Sequence, residues 1–448
     1  MTRILALLVL LTLPATVYAQ NQKTFGAEGF ILKNGMEVVV IPNHRAPIVT
    51  HMVWYKVGAA DEPYGQSGMA HYFEHLMFKG TKKLQPGEFS TTVRKLGGND
   101  NAFTSQDYTA YFQSIAVENL ETVMKMEADR MLNLAPPPEH YKSEKNVVIE
   151  ERRQRTENDP RGLFFEQLRN TLFVNHPYGT PTIGWMSEIE TYEWEDVKSF
   201  YDTWYAPNNA ILIVSGDITA EELQPMAERA YGRLPTKEVP ERIRPIIPPI
   251  KADSLLTFQD SSIRQSALHK IYLAPSENQI PQHSHGLQVL NEVLSGGPTT
   301  RLYKSLVVDQ KKATSVSLGY TANMLDYSSI YISATPAEGI PLNDLENLIE
   351  TEIQKIIKEG VSAEEVEEAI KRLQDQAVFA RDSVAGPAMI FGRILTTGGT
   401  IDDVEGWTEN ISLVSPTLVQ EVARLYLNEA EPWVRAPVVG HMLPEVTQ

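Results

Sequence analysis

Apolar positions along the chain switch between helical and strand periods, and they group into two similar runs. In the first run, a strand-like MVWYKVGA (52–59) precedes an apolar helix ending at Phe78-Lys79-Gly80, and DYTAYFQSIA (107–116) follows as a strand. In the second, HKIYLAP (269–275) precedes a helical HGLQVLNEVLSGG (285–297) and then DYSSIYISA (326–334). Gly80 and Gly296 stand 216 residues apart and Asp107 and Asp326 stand 219 apart, so order and spacing together point to an internal duplication. Each run continues into a further helix, Glu139 to Arg155 and Ser362 to Arg381. The latter opens on a capping box, Ser362-x-x-Glu365, and carries an apolar stripe at Val366, Ala369, Ile370, Leu373 and Ala377.

Between the runs, Gly232 to Ala252 carries Pro at 235, 240, 245, 248 and 249, a spacing that no helix accommodates. It reads as an extended linker over 236–252, separating an N-terminal domain (20–235) from a C-terminal one (253–448). Strands set ahead of amphipathic helices predict an α/β layered architecture in each. Residues 1–19 are of another kind: Arg3, an apolar run from Ile4 to Leu13, and Val17-Tyr18-Ala19 as a small-x-small cleavage site. The run is about half of the ~20 residues a membrane span requires. It predicts a signal peptide and an exported chain, periplasmic or secreted, with no membrane span once the leader is removed.

Composition narrows the chemistry. Lys+Arg 40 against Asp+Glu 57 gives a net charge of −17, which disfavours nucleic acid as a partner. The absence of cysteine removes disulfides, thiolate metal sites and cysteine nucleophiles, leaving ten histidines and the carboxylates as candidate ligands.

Two of those histidines sit at helical spacing. His71-Tyr72-Phe73-Glu74-His75 is an H-x-x-E-H, and residues four apart share a helix face, so His71 and His75 can converge on one metal ion. Glu74 lies beside that face, where a carboxylate can take a proton from metal-bound water. The flanking Met69, Ala70, Phe73, Leu76 and Met77 are apolar, so the polar groups among them need partners. A catalytic zinc needs a third protein ligand. In EKNVVIEERR (144–153), Glu144 and Glu151 are two helical turns apart on one face, with Glu150 turned roughly 100° away. Glu151 is the predicted ligand and Glu144 the predicted partner of a ligand histidine. The other histidines, including His51, His140, His176, His283 and His285, lack ligand spacing.

These segments resemble the pitrilysin/insulinase family of zinc metallopeptidases, the inverzincins, in its processing-peptidase-like branch. GMAHYFEHLMFKGT resembles the family's zinc helix, EKNVVIEERR its distal Glu helix, GGNDNAFTSQDYTAYF its substrate-strand region and NHPYGTPTIG a recurrent loop. The likeness extends over nearly the whole chain after the leader. It implies an α/β (α+β layered) fold of two homologous domains, each a mostly antiparallel sheet packed with helices and joined by the Pro-rich linker. It implies one Zn2+ per chain on His71, His75 and Glu151, Glu74 as general base, and Glu144 behind a ligand histidine. It also implies hydrolysis of peptides or small unfolded segments by a Glu-activated zinc-bound water, with the peptide held along an edge strand at Asn101 and Ala102.

Two departures matter. The second run has Leu287, Leu290 and Asn291 opposite His71, Glu74 and His75, and Ala369 and Gln376 opposite Glu144 and Glu151, so only one zinc site is expected. Many family members also carry an Arg and a Tyr in the second half that hold the substrate carbonyl. The matching positions here are Val307 and Thr314, neither able to do that. The expectation is a zinc subunit of a heterodimer, with a homologous companion supplying the Arg/Tyr pair. The alternative is a noncatalytic scaffold or interaction subunit with a peptidase-like fold.

Overall fold

A computed structural model of the chain describes residues 23–191, 193–429 and 435–445, so the predicted leader lies outside the described residues. The first half builds a six-stranded sheet from β1 (Glu28–Ile31), β2 (Glu37–Pro42), β3 (Ile48–Tyr55), β4 (Asn99–Thr104), β5 (Thr109–Ala116) and β6 (Ala210–Gly216), in the order β1-β2-β6-β3-β5-β4. The second half builds a five-stranded sheet from β7 (Ser254–Asp260), β8 (Ala267–Ala274), β9 (Ala313–Tyr320), β10 (Ser328–Pro336) and β11 (Val438–Pro444), in the order β7-β11-β8-β10-β9. One neighbouring pair in each sheet is parallel, β2 with β6 and β7 with β11, and the rest are antiparallel. With β1 set aside, the two sheets agree strand for strand in order and direction. The duplication is therefore one of topology.

Sequence explains the central positions. Every residue of β6, Ala-Ile-Leu-Ile-Val-Ser-Gly, is buried, as a strand covered on both faces requires. In β2, Val38 and Val40 join the core beneath the histidine-bearing helix, while Val39 and Ile41 join a second core on the opposite face. The helix Ala385–Thr396, from the other half of the chain, closes that second core by setting Ala388, Phe391 and Leu395 against Trp54, Ile211 and Ile213. Reciprocally, the helix Pro160–Leu172 of the first half sets Phe164, Leu168 and Leu172 against Ile271, Val438 and Met442 of the second sheet. Burying a large apolar side chain contributes about 1.5–3 kcal/mol, so each sheet draws several kcal/mol from a helix of the other half. Glycine makes both approaches possible: a Cβ on Gly392 would lie 1.9 Å from the Trp54 ring, and one on Gly440 would lie 2.4 Å from the Phe164 ring.

The Pro-rich segment runs without helix or strand up to β7, yet it is bonded to its surroundings. Arg244 pairs with Asp61 at 2.8 Å and with Asp107 at 2.9 Å, and Ile247 is buried. The helix expected over Glu139 to Arg155 spans Pro138–Arg152 and passes into a π-helical turn, Arg153–Glu157. The turn comes just before Asp159, which is extended because Pro160 follows it. No helix among the described residues is long and apolar enough to cross a membrane.

Candidate metal centre and peptide edge

The helix Met69–Leu76 starts from Gly68, whose φ of 86° is a conformation that glycine adopts without steric cost. A Cβ there would also fall 2.3 Å from the Ile183 carbonyl oxygen. The Glu62 carboxylate accepts from the backbone N–H of Gly68 (2.8 Å) and of Ala70 (2.7 Å), satisfying open donors at the positive end of the helix. Met69, Ala70, Tyr72, Phe73 and Leu76 are buried in the first core, which fixes the rotation of the helix. His71 and His75 then face the helix Pro138–Arg152.

There they meet Glu151. His71 Nε2 lies 3.7 Å from Glu151 Oε1 and His75 Nε2 lies 3.3 Å from Glu151 Oε2. The two imidazoles stand edge-on, with centroids 4.9 Å apart, and one ligand atom from each of the three residues falls within 4.8 Å of the others. Glu144 Oε1 lies 2.9 Å from His75 Nδ1 and accepts its proton, which leaves Nε2 for a metal. The other Glu144 oxygen pairs with Lys79 Nζ at 2.7 Å, and Arg155 Nη1 pairs with Glu151 Oε1 at 2.8 Å. Nδ1 of His71 is buried and makes no hydrogen bond. Two imidazole nitrogens and one carboxylate form the donor set of a catalytic zinc site, so these residues fit that ion.

Charge in this cluster is unequally shared. Burial, and next the neighbouring His75, push His71 down to about 4. Burial opposes the charge on His75 as well, but Glu144 and Glu151 outweigh it and lift that imidazole to about 9. Hydrogen bonding to His75 holds Glu151 below the usual carboxylate range.

Glu74 is oriented from another direction. Thr104 Oγ1 donates to Glu74 Oε2 at 2.6 Å, and burial raises the Glu74 carboxyl above its ordinary range. Thr104 ends β4, which pairs with β5 on one side and, among the described residues, has no strand on the other. Asn101 and Ala102 stand on this open edge, opposite Phe112 and Tyr111 of β5. Asn101 is exposed, and its Oδ1 accepts from the Ala102 N–H at 2.9 Å. The structure thus brings His71, His75, Glu151, Glu144 and Glu74 together and places Asn101 and Ala102 along the adjacent edge. Sequence reasoning missed Thr104, Lys79 and Arg155. Signals for them existed: Thr104 shares a strand face with Ala102, while Lys79 and Arg155 follow His75 and Glu151 by one helical turn.

In the second half, Val307 packs against the core and Thr314 is exposed, with Oγ1 donating to the Thr335 carbonyl. The nearby candidates are already engaged. Arg301 is held by Glu365 at 2.6 and 2.8 Å, and the Tyr320 hydroxyl donates to the Pro275 carbonyl at 2.6 Å.

The two sheets with their covering helices frame a His/His/Glu cluster of metal-binding type. The family model described as "Insulinase (Peptidase family M16)" matches residues 37–185, and the one described as "Peptidase M16 inactive domain" matches residues 193–373. His71, Glu74, His75, Glu144 and Glu151 fall in the first match, and Leu287, Leu290, Asn291 and Ala369 in the second, with Gln376, opposite Glu151, just beyond it. The zinc protease PqqE of Helicobacter pylori (strain ATCC 700392 / 26695) is 30% identical over 410 residues, covering 90% of each chain. The crystal structure of a protease from Helicobacter pylori superimposes with a TM-score of 0.85 at 26% identity, covering 93% of this chain and 99% of that one. A putative M16-like peptidase from Alicyclobacillus acidocaldarius shares the fold, with a TM-score of 0.82 at 20% identity over 98% of this chain and all of the other. The chain belongs to the pitrilysin/insulinase family, peptidase family M16.

Proposed function

We propose that the chain is a zinc-dependent endopeptidase acting on peptides or small unfolded segments. The observation that carries this reading is the convergence of His71 Nε2, His75 Nε2 and the Glu151 carboxylate beside a separately oriented Glu74. Zinc held by those three residues would supply Lewis acidity to a peptide carbonyl and to water. Glu74 takes the proton from the attacking water and returns it to the leaving amine, with Thr104 fixing the carboxylate in place. The open edge of β4 pairs with the peptide backbone, and Asn101 swings from the Ala102 amide to the incoming strand.

The chain acts as the zinc subunit of a heterodimer whose homologous companion contributes the carbonyl-binding Arg/Tyr pair. Val307 and Thr314 at the corresponding positions, together with the committed Arg301 and Tyr320, support this. The N-terminal leader directs the chain out of the cytoplasm. Peptide cleavage by the purified chain alone should be weak, sensitive to chelators and restored by the companion. Strong cleavage by a verified monomer or homodimer would remove the companion from the mechanism, and chelator-insensitive cleavage would remove the zinc.

A further inference from the structure

The duplicated Asp-Tyr pairs, Asp107-Tyr108 and Asp326-Tyr327, and the loop Asn175-His176-Pro177-Tyr178-Gly179 play no part in the chemistry above. They meet at one place. Asp107 stands at the tip of the β4–β5 hairpin and Asp326 at the tip of the matching β9–β10 hairpin. Asp107 Oδ1 accepts from Arg244 Nη2 of the linker at 2.9 Å. Its Oδ2 accepts from the Tyr178 hydroxyl at 2.6 Å and from the Leu325 N–H of the second half at 3.1 Å. The Tyr178 oxygen in turn accepts from the Asp326 N–H at 3.1 Å. His176 Nδ1 accepts from the Tyr178 N–H, so its Nε2, 3.0 Å from Asp326 Oδ2, is the donor to that carboxylate. Arg244 also binds Asp61, and Arg242 joins the Asp107 carbonyl to the Thr396 carbonyl of the second half, both at 2.9 Å.

The Arg244, Asp61 and Asp107 side chains are 7%, 1% and 1% exposed. Arg244 pairs through both terminal nitrogens while its Nε makes no hydrogen bond, and buried charges paired in this way resist displacement, because movement leaves one of them uncompensated. The joint lies three residues from Thr104, the β4 residue that orients Glu74, and on the hairpin that carries Asn101 and Ala102. We propose that Tyr178, Asp107 and Arg244 are positioning residues: they lock the β4–β5 hairpin to the second half, so that the peptide-binding edge stays at a fixed angle to the metal centre. This deepens the peptidase reading and rests on β4 receiving the peptide. It also gives the duplication a purpose, since the two equivalent hairpin tips brace one another across the linker.

The chain contains no cysteine, so paired labels can be introduced without background. Spin labels at Lys95→Cys and Lys358→Cys, both exposed and on opposite halves, report the separation of the halves in the metal-free protein. The unaltered joint should give one narrow distance. Tyr178→Phe, which keeps the ring and removes only the bridging hydroxyl, should broaden or shift it. In parallel, KM for a peptide long enough to pair along Asn99–Thr104 should rise about tenfold or more with kcat and zinc content little changed. A reporter of two or three residues should keep its KM. Arg244→Gln should act in the same direction, and if it fails to fold, Tyr178→Phe decides alone. An unchanged distance distribution and an unchanged KM for the long peptide would overturn the joint. A proportional loss on both substrates would mark a merely structural role and overturn the positioning assignment. If the parent protein cleaves nothing, the peptidase reading fails, while the distance measurement still decides whether the joint sets the angle between the halves.

Discussion

The helix Met69–Leu76 and its counterpart Pro281–Ser295 occupy the same place on two sheets of the same strand order, and they carry opposite chemistry. Where the first presents His71, Glu74 and His75, the second has Leu287, Leu290 and Asn291, and the two leucines are closed into the core of the second half of the chain. Ala369, matched to Glu144, is fully buried in that core. Polar groups at such depth require partners, and the first half provides them: Glu144 and Lys79 behind His75, Arg155 beside Glu151, Thr104 on Glu74. The frame fixes where a site can stand. Side chains on two helices decide whether one does.

Making the first half resemble the second is the strongest test of that contrast. His71→Leu combined with His75→Asn should take zinc from one per chain to none by metal analysis and abolish peptide hydrolysis. Retained zinc would place the metal elsewhere. Next in size is the crossing of helices between halves. Gly392→Val drives a side chain into Trp54 and should cost about 3 kcal/mol or more in denaturant unfolding, at the upper end for overpacking. Gly297→Ala, with open space around it, is the control and should change little. The reverse exchange, Leu287→His, puts an imidazole into the core of the second half without the partners that the first half supplies. It should cost about 2–3 kcal/mol and bind no zinc.

Two smaller effects refine the picture. Glu144→Gln keeps the shape but weakens the acceptor for His75 Nδ1, and it should weaken zinc binding about 10–100-fold in a chelator competition. His269, on β8 between Phe164 and Phe165, is pushed by burial down to about 4 from an ordinary 6.5. Below pH 6.5 the unfolded chain binds this proton and the folded chain does not. Stability from this group is therefore intact above 6.5 and lost as pH falls toward 4. The loss is about 1 kcal/mol at pH 5.5, and His269→Phe should remove that slope from the pH profile of unfolding.

Much of this was legible because it is local. His71 and His75 are four apart on a helix with an apolar flank, and Glu144 and Glu151 are seven apart on another, so periodicity alone sorts each pair onto one face of its own helix. The repeat was legible from its two Asp-Tyr strands, and the stretch without helix or strand between the sheets from its prolines. What escaped depends on partners distant in sequence. The apolar stripes of Ala385–Thr396 and Pro160–Leu172 show that each helix buries a face, but periodicity does not say that the covering sheet belongs to the other half. Arg242 and Arg244 look like ordinary charges in a proline-rich segment until Asp61 and Asp107 are brought against them. Thr104 was passed over for a related reason: nothing in the sequence places β4 beside Glu74.

The central claim is that His71, His75 and Glu151 hold zinc while Glu74 carries the proton. It is tested most directly by measuring zinc content and peptide hydrolysis side by side in the parent chain and Glu74→Gln, each with and without the proposed companion subunit. One zinc per chain in both proteins, with hydrolysis falling about 10²–10⁴-fold in the variant, is the predicted result. A parent chain that binds no zinc, or a Glu74→Gln variant that cleaves as fast as the parent, would contradict it.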